Sequence, residues 1–205
     1  MKKHFLFIPV LVMCLCMTQS CVPALKCPAP TLNGSVQFSR LPGQQKSFSN
    51  AIGAQGGVAF NAYDNFKVPV ALRAGLNVSM QGAKYEDDYG AGLIDGMTRL
   101  TYLNIPLVGR YSLPSGFYGE AGLQPGFLLA AKDKFEDQSY DYRDWIKSFD
   151  LSIPISVGYE FPNNIGVGVI FVPGVTDINK SEYDSGTIRN MVLGLRVSYT
   201  FLEKE

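Results

Sequence analysis

Apolar and polar residues alternate with a period of two over most of the chain, and that is the signature of strands with two unlike faces. Phe149–Phe161 is the cleanest case. Phe149, Leu151, Ile153, Ile155, Val157, Tyr159 and Phe161 are apolar, and every residue between them is small or polar. Tyr102–Lys132 carries the same pattern twice around a tight turn at 113–116. Leu103, Ile105, Leu107, Tyr111 and Leu113 oppose Tyr102, Asn104, Arg110 and Ser112. Phe117, Ala121, Leu123, Phe127 and Leu129 then oppose Glu120, Gly122, Gln124 and Gly126. Further strands are predicted at Ser35–Leu41, Ile52–Tyr63, Val68–Gln81, Ile165–Val175 and Arg189–Phe201. No helix is predicted after the N-terminal segment.

Eight strands result, and their connections alternate in length. Asp64–Asn65, Pro114–Gly116 and Pro162–Asn164 are short. Pro42–Asn50, Tyr85–Arg99, Asp133–Asp144 and Asp177–Thr187 are long. The pattern predicts an all-β fold, an eight-stranded antiparallel up-and-down transmembrane β-barrel with long extracellular loops and short periplasmic turns.

A soluble lipocalin-like barrel alternates too, with its apolar face inward. Two features favour the membrane form. The polar face is mostly Gly, Ser, Asn and Gln, as a narrow interior requires and a water-exposed surface does not. Tyr63, Phe66, Tyr111, Phe117, Tyr159, Phe161, Tyr199 and Phe201 all lie near the short-turn end, where an interfacial girdle belongs.

The N-terminus adds a third. Lys2 and Lys3 precede the apolar run Phe5–Met17, which reads as a signal-peptide core rather than a bilayer span. Residues 1–20 are expected to be a signal peptide, the Pro-rich 21–32 a periplasmic tether, and 33–205 the barrel. Localisation in the cell outer membrane follows. Cys21 and Cys27 remain after cleavage. Lipidation of Cys21, a disulfide between the two, and free thiols all stay open. Two cysteines do not complete a zinc shell.

YLNIPL at Tyr102–Leu107, GFYGEAGLQPGFLL at Gly116–Leu129, GYEF at Gly158–Phe161, YTF at Tyr199–Phe201 and MQGAK at Met80–Lys84 together resemble the PorT-like outer-membrane β-barrel family. Gly75 stands where that family often has an inward Glu, and a short tail follows Phe201. The resemblance implies the fold and the location. One namesake type assists protein secretion, a role that a likeness between barrels does not transfer.

Charged residues balance at 18 Lys plus Arg against 18 Asp plus Glu, with no basic patch, so nucleic acid is not an expected partner. The only histidine, His4, lies in the leader, which removes any Ser–His or Asp–His catalytic pairing from the remaining chain. Asp87 with Asp88 reads as a solvated loop tip. The expectation is a non-enzymatic barrel with no catalytic, cofactor-binding or metal residues and no cofactor. Its partners are outer-membrane lipid and, through the long loops or the tether, other proteins. The loops at Tyr85–Gly92, Lys134–Trp145 and Lys180–Ser185 mix acids with aromatics and suit surface recognition. Tyr140, Tyr142 and Trp145 read alternatively as an upper girdle. An accessory subunit of an export or transport complex and a narrow channel are the alternative roles.

Two structural expectations follow. Pro106, Pro125, Pro154 and Pro173 fall inside strands, seven to nine residues from a short turn, and predict a belt of bulges or missing ladder bonds. Arg73, Arg110, Arg196, Glu120, Asp150 and Glu160 all point inward. They are expected to pair into a neutral, filled lumen, with Arg110 across from Glu120.

Overall fold

The structure, a computed structural model, describes residues 29–42, 48–63, 69–88, 93–135, 138–180 and 186–201. The strands are β1 (Thr31–Arg40), β2 (Phe48–Tyr63), β3 (Val70–Asp88), β4 (Leu93–Asn104), β5 (Leu107–Ser112), β6 (Phe117–Phe135), β7 (Gln138–Asp141), β8 (Phe149–Ser152), β9 (Ile155–Glu160), β10 (Ile165–Pro173) and β11 (Met191–Thr200). They make eight staves. β4 and β5 form one, interrupted at Ile105–Pro106, and β8 and β9 form another, interrupted at Ile153–Pro154. β7 is a short extension against the far end of β6. Each stave is antiparallel to the next. β1 pairs with β11 from Thr31↔Thr200 to Arg40↔Met191, which closes the ring. Among the described residues closure pairs each of the eight staves on both sides, the condition for crossing lipid with strands.

The short turns at 113–116 and 162–164 and both described chain ends lie together, while Asp64–Asn65 lies outside the described residues. Leu113 N–H donates to Phe117 O at 2.8 Å and Gly116 N–H to Leu113 O at 2.9 Å. Gly116 has φ +94°, a conformation that costs a glycine nothing. Asn164 takes the corresponding role in the next turn at φ 63°, and its carbonyl accepts from Thr200 N–H at 3.0 Å. Phe201 N–H donates to Pro30 O at 3.0 Å.

Burial is inverted relative to a water-soluble barrel. Gln37, Ser39, Arg73, Asn77, Ser79, Asn104, Arg110, Glu120, Gln124, Asp150, Ser152 and Asn190 are buried, whereas Val36, Ile52, Leu72, Leu107, Leu123, Val157, Val169 and Leu195 are exposed. The alternation in sequence therefore resolves as polar inside and apolar outside. Tyr111, Phe117, Phe161, Tyr199 and Phe201 are exposed at the short-turn end. Edge-to-face contacts link Phe117 with Tyr159 at 5.0 Å, Tyr159 with Phe161 at 4.9 Å and Tyr199 with Phe201 at 5.1 Å. This is the expected girdle; the side chains of Tyr63 and Phe66 lie outside the described residues.

The four strand prolines cause missing bonds rather than bulges. Each keeps its carbonyl in the ladder: Gly75 N–H donates to Pro106 O, Ile105 to Pro125 O, Gly122 to Pro154 O and Ile153 to Pro173 O, at 2.9–3.2 Å. Only the donation that proline lacks is lost. The pairing frame does not slip across either gap. Asn77↔Asn104 before Pro106 continues as Ala74↔Leu107 after it, three residues on along both strands. Gln124↔Ser152 likewise continues as Ala121↔Ile155. The one register shift between the fourth and fifth staves lies elsewhere, where Thr101 faces Ala130 and Tyr102 faces Leu128, skipping Leu129.

Several boundaries differ from the sequence reading. The first stave begins at Thr31, not Ser35, so Thr31 and Leu32 stand in the wall. Much of the expected loop Tyr85–Arg99 is ladder, because β3 runs to Asp88 and β4 starts at Leu93, with Asp88↔Leu93 paired. Within Asp133–Asp144, β6 and β7 pair from Lys132↔Asp141 to Phe135↔Gln138. The backbone ladder therefore continues past the point where the apolar alternation stops.

Candidate functional site

The lumen holds the densest polar chemistry of the chain. At its centre Glu120, on β6, accepts from Arg73 Nη1 of β3 at 2.8 Å, Arg110 Nη1 of β5 at 3.3 Å and Arg196 Nη2 of β11 at 2.6 Å. Ser156 Oγ of β9 donates to it at 3.1 Å. Arg110 Nη2 also donates to Glu160. Arg110 and Glu120 are cross-strand partners, as the hairpin register requires. Arg73 arrives from the stave next but one and Arg196 from the third stave on the other side, so these bonds reach across the lumen.

Tyr118 completes this layer and was not singled out in the sequence. It is 4% exposed, the guanidinium of Arg110 lies 3.8 Å over its ring, and its hydroxyl accepts from Arg196 Nη2 at 3.4 Å. Its space comes from the facing wall. A Cβ on Gly158 would lie 2.5 Å from the Tyr118 hydroxyl, and one on Gly168 3.0 Å from it. Its parity with Glu120 was the available signal, masked by the exposed aromatics around it.

The expected pairing of all six charges is corrected by the structure. Asp150 takes no part in the ion cluster. Its carboxylate accepts from Thr176 Oγ1 at 2.6 Å and Asn190 Nδ2 at 2.8 Å. Three guanidiniums therefore share two carboxylates, and the cluster is not neutral. Between the two charged levels runs an amide–hydroxyl network. Asn104 Nδ2 and Gln81 Nε2 each donate to Ser79 Oγ at 2.9 Å, and Gln124 Nε2 donates to Ser152 Oγ at 3.3 Å. On the neighbouring staves Ser39 Oγ bridges Gly82, accepting from its N–H and donating to its carbonyl, both at 2.9 Å.

The far end is closed by an apolar lid. Ile146, Ile178 and Ile188 come from the long connections and are 2%, 0% and 3% exposed. They pack on Leu41, Ala83, Leu100, Tyr102 and Ala131 from the wall. Backbone bonds hold them: Lys147 N–H to Ile178 O at 2.8 Å, Ile178 N–H to Ile188 O at 2.8 Å and Lys180 N–H to Trp145 O at 3.0 Å. Asp177 pins the same turn. Its Oδ1 accepts from Ile188 N–H at 2.9 Å and Asn179 N–H at 3.1 Å, and its Oδ2 pairs with Lys147 Nζ at 3.0 Å. Partial burial raises the Asp177 carboxyl, but these donors together hold it below the usual range.

Outside the lid the rim carries Tyr140 and Trp145, 53% and 50% exposed. Tyr142 is half-buried against the lid and stacks on Trp145 at 6.5 Å with a 16° interplanar angle. Among the described residues no group of three His, Cys, Asp or Glu side chains is placed to hold a metal ion. Residues 1–28, with His4, Cys21, Cys27 and the segments expected to be a leader and a tether, lie outside the described residues, as do the side chains of Asp87 and Asp88.

This architecture has a known counterpart. The neisserial surface protein A, a solved structure, is similar over 84% of this chain and 97% of its own at 12% identity, with a TM-score of 0.59. Ail, the attachment invasion locus protein of Yersinia pestis, matches 85% of this chain and 99% of its own at 14% identity, with a TM-score of 0.42. No curated protein matches. The profile described as outer membrane protein beta-barrel domain matches residues 30–180. The chain belongs to that family, which places it in the outer membrane. The match is to this broad family and does not reach the PorT-like group.

Proposed function

We propose that this chain is a non-catalytic, non-conducting barrel that acts through its outer rim, as a structural element of the membrane or as a surface-binding protein. The observation that carries the reading is double closure. A buried ion cluster spans the lumen at one level, and loop isoleucines seal its outer end. An ion crossing would have to displace guanidiniums that are already bonded and then open an apolar plug. What is left for interaction is the rim, where Tyr140 and Trp145 are exposed and aromatic side chains suit recognition. The absence of enzymatic function rests on chemistry, since the sole histidine is in the leader. Membership of the PorT-like group is part of the proposal and rests on the YLNIPL and GFYGEAGLQPGFLL segments.

Reconstitution in planar bilayers tests it. The expected result is no resolvable single-channel current in salt solution over the usual voltage range. A stable open pore would overturn the reading in favour of the narrow channel.

A further inference from the structure

The ion cluster lacks one negative charge. Arg73, Arg110 and Arg196 stay charged at any working pH, and among the described residues the carboxylates that pair with them are Glu120 and Glu160. The next inward carboxylate, Asp150, is already held by Thr176 and Asn190. It stands six residues along its stave from Ser156, about 20 Å at strand rise. The cluster also has unused donors. Nε of Arg73, a residue 7% exposed, and Nε of Arg196 are buried without an acceptor. Both side chains line a partly open space of about 40 Å³, together with Glu120, Asn77, Gln55 and Gln124. Roughly 10–15 Å³ of such space holds one water, so the chamber admits about three or four waters, or one halide.

We propose that this chamber is a binding site for a single small monovalent anion of chloride's size, held between Arg73 and Arg196. Water would satisfy the two N–H groups but leave the charge uncompensated in a buried setting. An anion does both. The chamber's size excludes an organic anion such as gluconate.

Thermal unfolding of the full chain in detergent micelles, at constant ionic strength, tests the site with chloride or bromide replacing gluconate. A ligand that binds only the folded state raises the midpoint, and here the expected rise is about 5 °C at saturating halide. Asn77→Asp puts a fixed carboxylate in the chamber. It is expected to raise the midpoint in gluconate and abolish the halide response. Bromide soaked into crystals should give one anomalous peak in the chamber. Equal midpoints in gluconate and halide, an undiminished halide response in Asn77→Asp, or an adventitious ion only, with bromide on the surface and water in the chamber, would each overturn the proposal.

Discussion

Arg196 on the last stave donates to Glu120 on the fifth at 2.6 Å, although 76 residues separate them in the chain. The bond crosses the lumen, because β9 and β10 stand between the two strands in the ring. Glu120 therefore ties together three staves, those of Arg73, Arg110 and Arg196. Replacing it leaves buried guanidiniums facing one another without their shared acceptor. Glu120→Ala is expected to cost about 3–5 kcal/mol, read as a lowered urea midpoint in lipid. A change within 0.5 kcal/mol, the scale of a neutral surface substitution, would show that the cluster contributes nothing to holding the barrel shut.

The inverted burial makes a contrasting prediction for the outer face. Leu195 is 69% exposed near the middle of β11. Leu195→Arg places a charge in lipid and is expected to destabilise the folded barrel by about 2–4 kcal/mol. Unfolding from lipid vesicles measures this; unchanged stability would mean that this face does not meet the bilayer.

The glycines of the wall differ in what they make room for. At Gly158 a Cβ would lie 2.4 Å from Val167 O and 2.5 Å from the Tyr118 hydroxyl, whereas at Gly109 the nearest atom would be at 3.9 Å. Gly158→Ala is expected to cost about 1–3 kcal/mol by overpacking. Gly109→Ala is expected to be neutral or stabilising by about 0.4–1 kcal/mol, since it restricts the unfolded chain. Similar losses from both, in parallel unfolding curves, would disprove the steric role of Tyr118.

The lid is expected to open independently of the wall. Ile178→Ala removes a fully buried side chain and should weaken lid packing by about 2–5 kcal/mol. Because the lid is made of loop segments, the loss should appear as faster proteolysis between residues 142 and 148 and between 175 and 190, with the barrel's heat-resistant gel mobility retained. Cleavage at the wild-type rate would show that the isoleucines do not close the outer mouth.

Asp177 gives the lid a pH response. Its folded pKa is depressed, so its contribution is fully present above the unfolded value of about 3.9 and is lost as pH falls through the lower folded value. Hydrogen exchange at Ile188 and Asn179 should therefore accelerate, beyond the intrinsic pH trend, below about pH 4. In Asp177→Asn protection should already be reduced at neutral pH and lack that extra step. Protection that stayed level through this range in the unaltered protein would exclude the carboxylate as the clasp.

How far the sequence reached depends on the range of the interaction. Period-2 alternation assigns every wall residue a face, because strand geometry puts successive side chains on opposite sides. The tight turn at 113–116 fixes one register, and that made the Arg110–Glu120 pair legible before any coordinates. The closed ring was legible too, from the even strand count and the alternation of connection lengths. Beyond one hairpin, position depends on how the staves stagger when the ring closes, and no local pattern encodes that. Only closure brings Arg73 and Arg196 to Glu120 while setting Asp150 against Thr176 and Asn190, which left the cluster with three cations and two anions. The prolines show the same division. Their positions announced lost donors, but that the register would pass Pro106 and Pro154 unshifted followed from the neighbouring strands. The lid was hidden for another reason. Ile146, Ile178 and Ile188 are isolated apolar residues among charges and aromatics, with no period to mark them. Their burial comes from folding two separate connections over one opening, and that opening exists only once the barrel has formed.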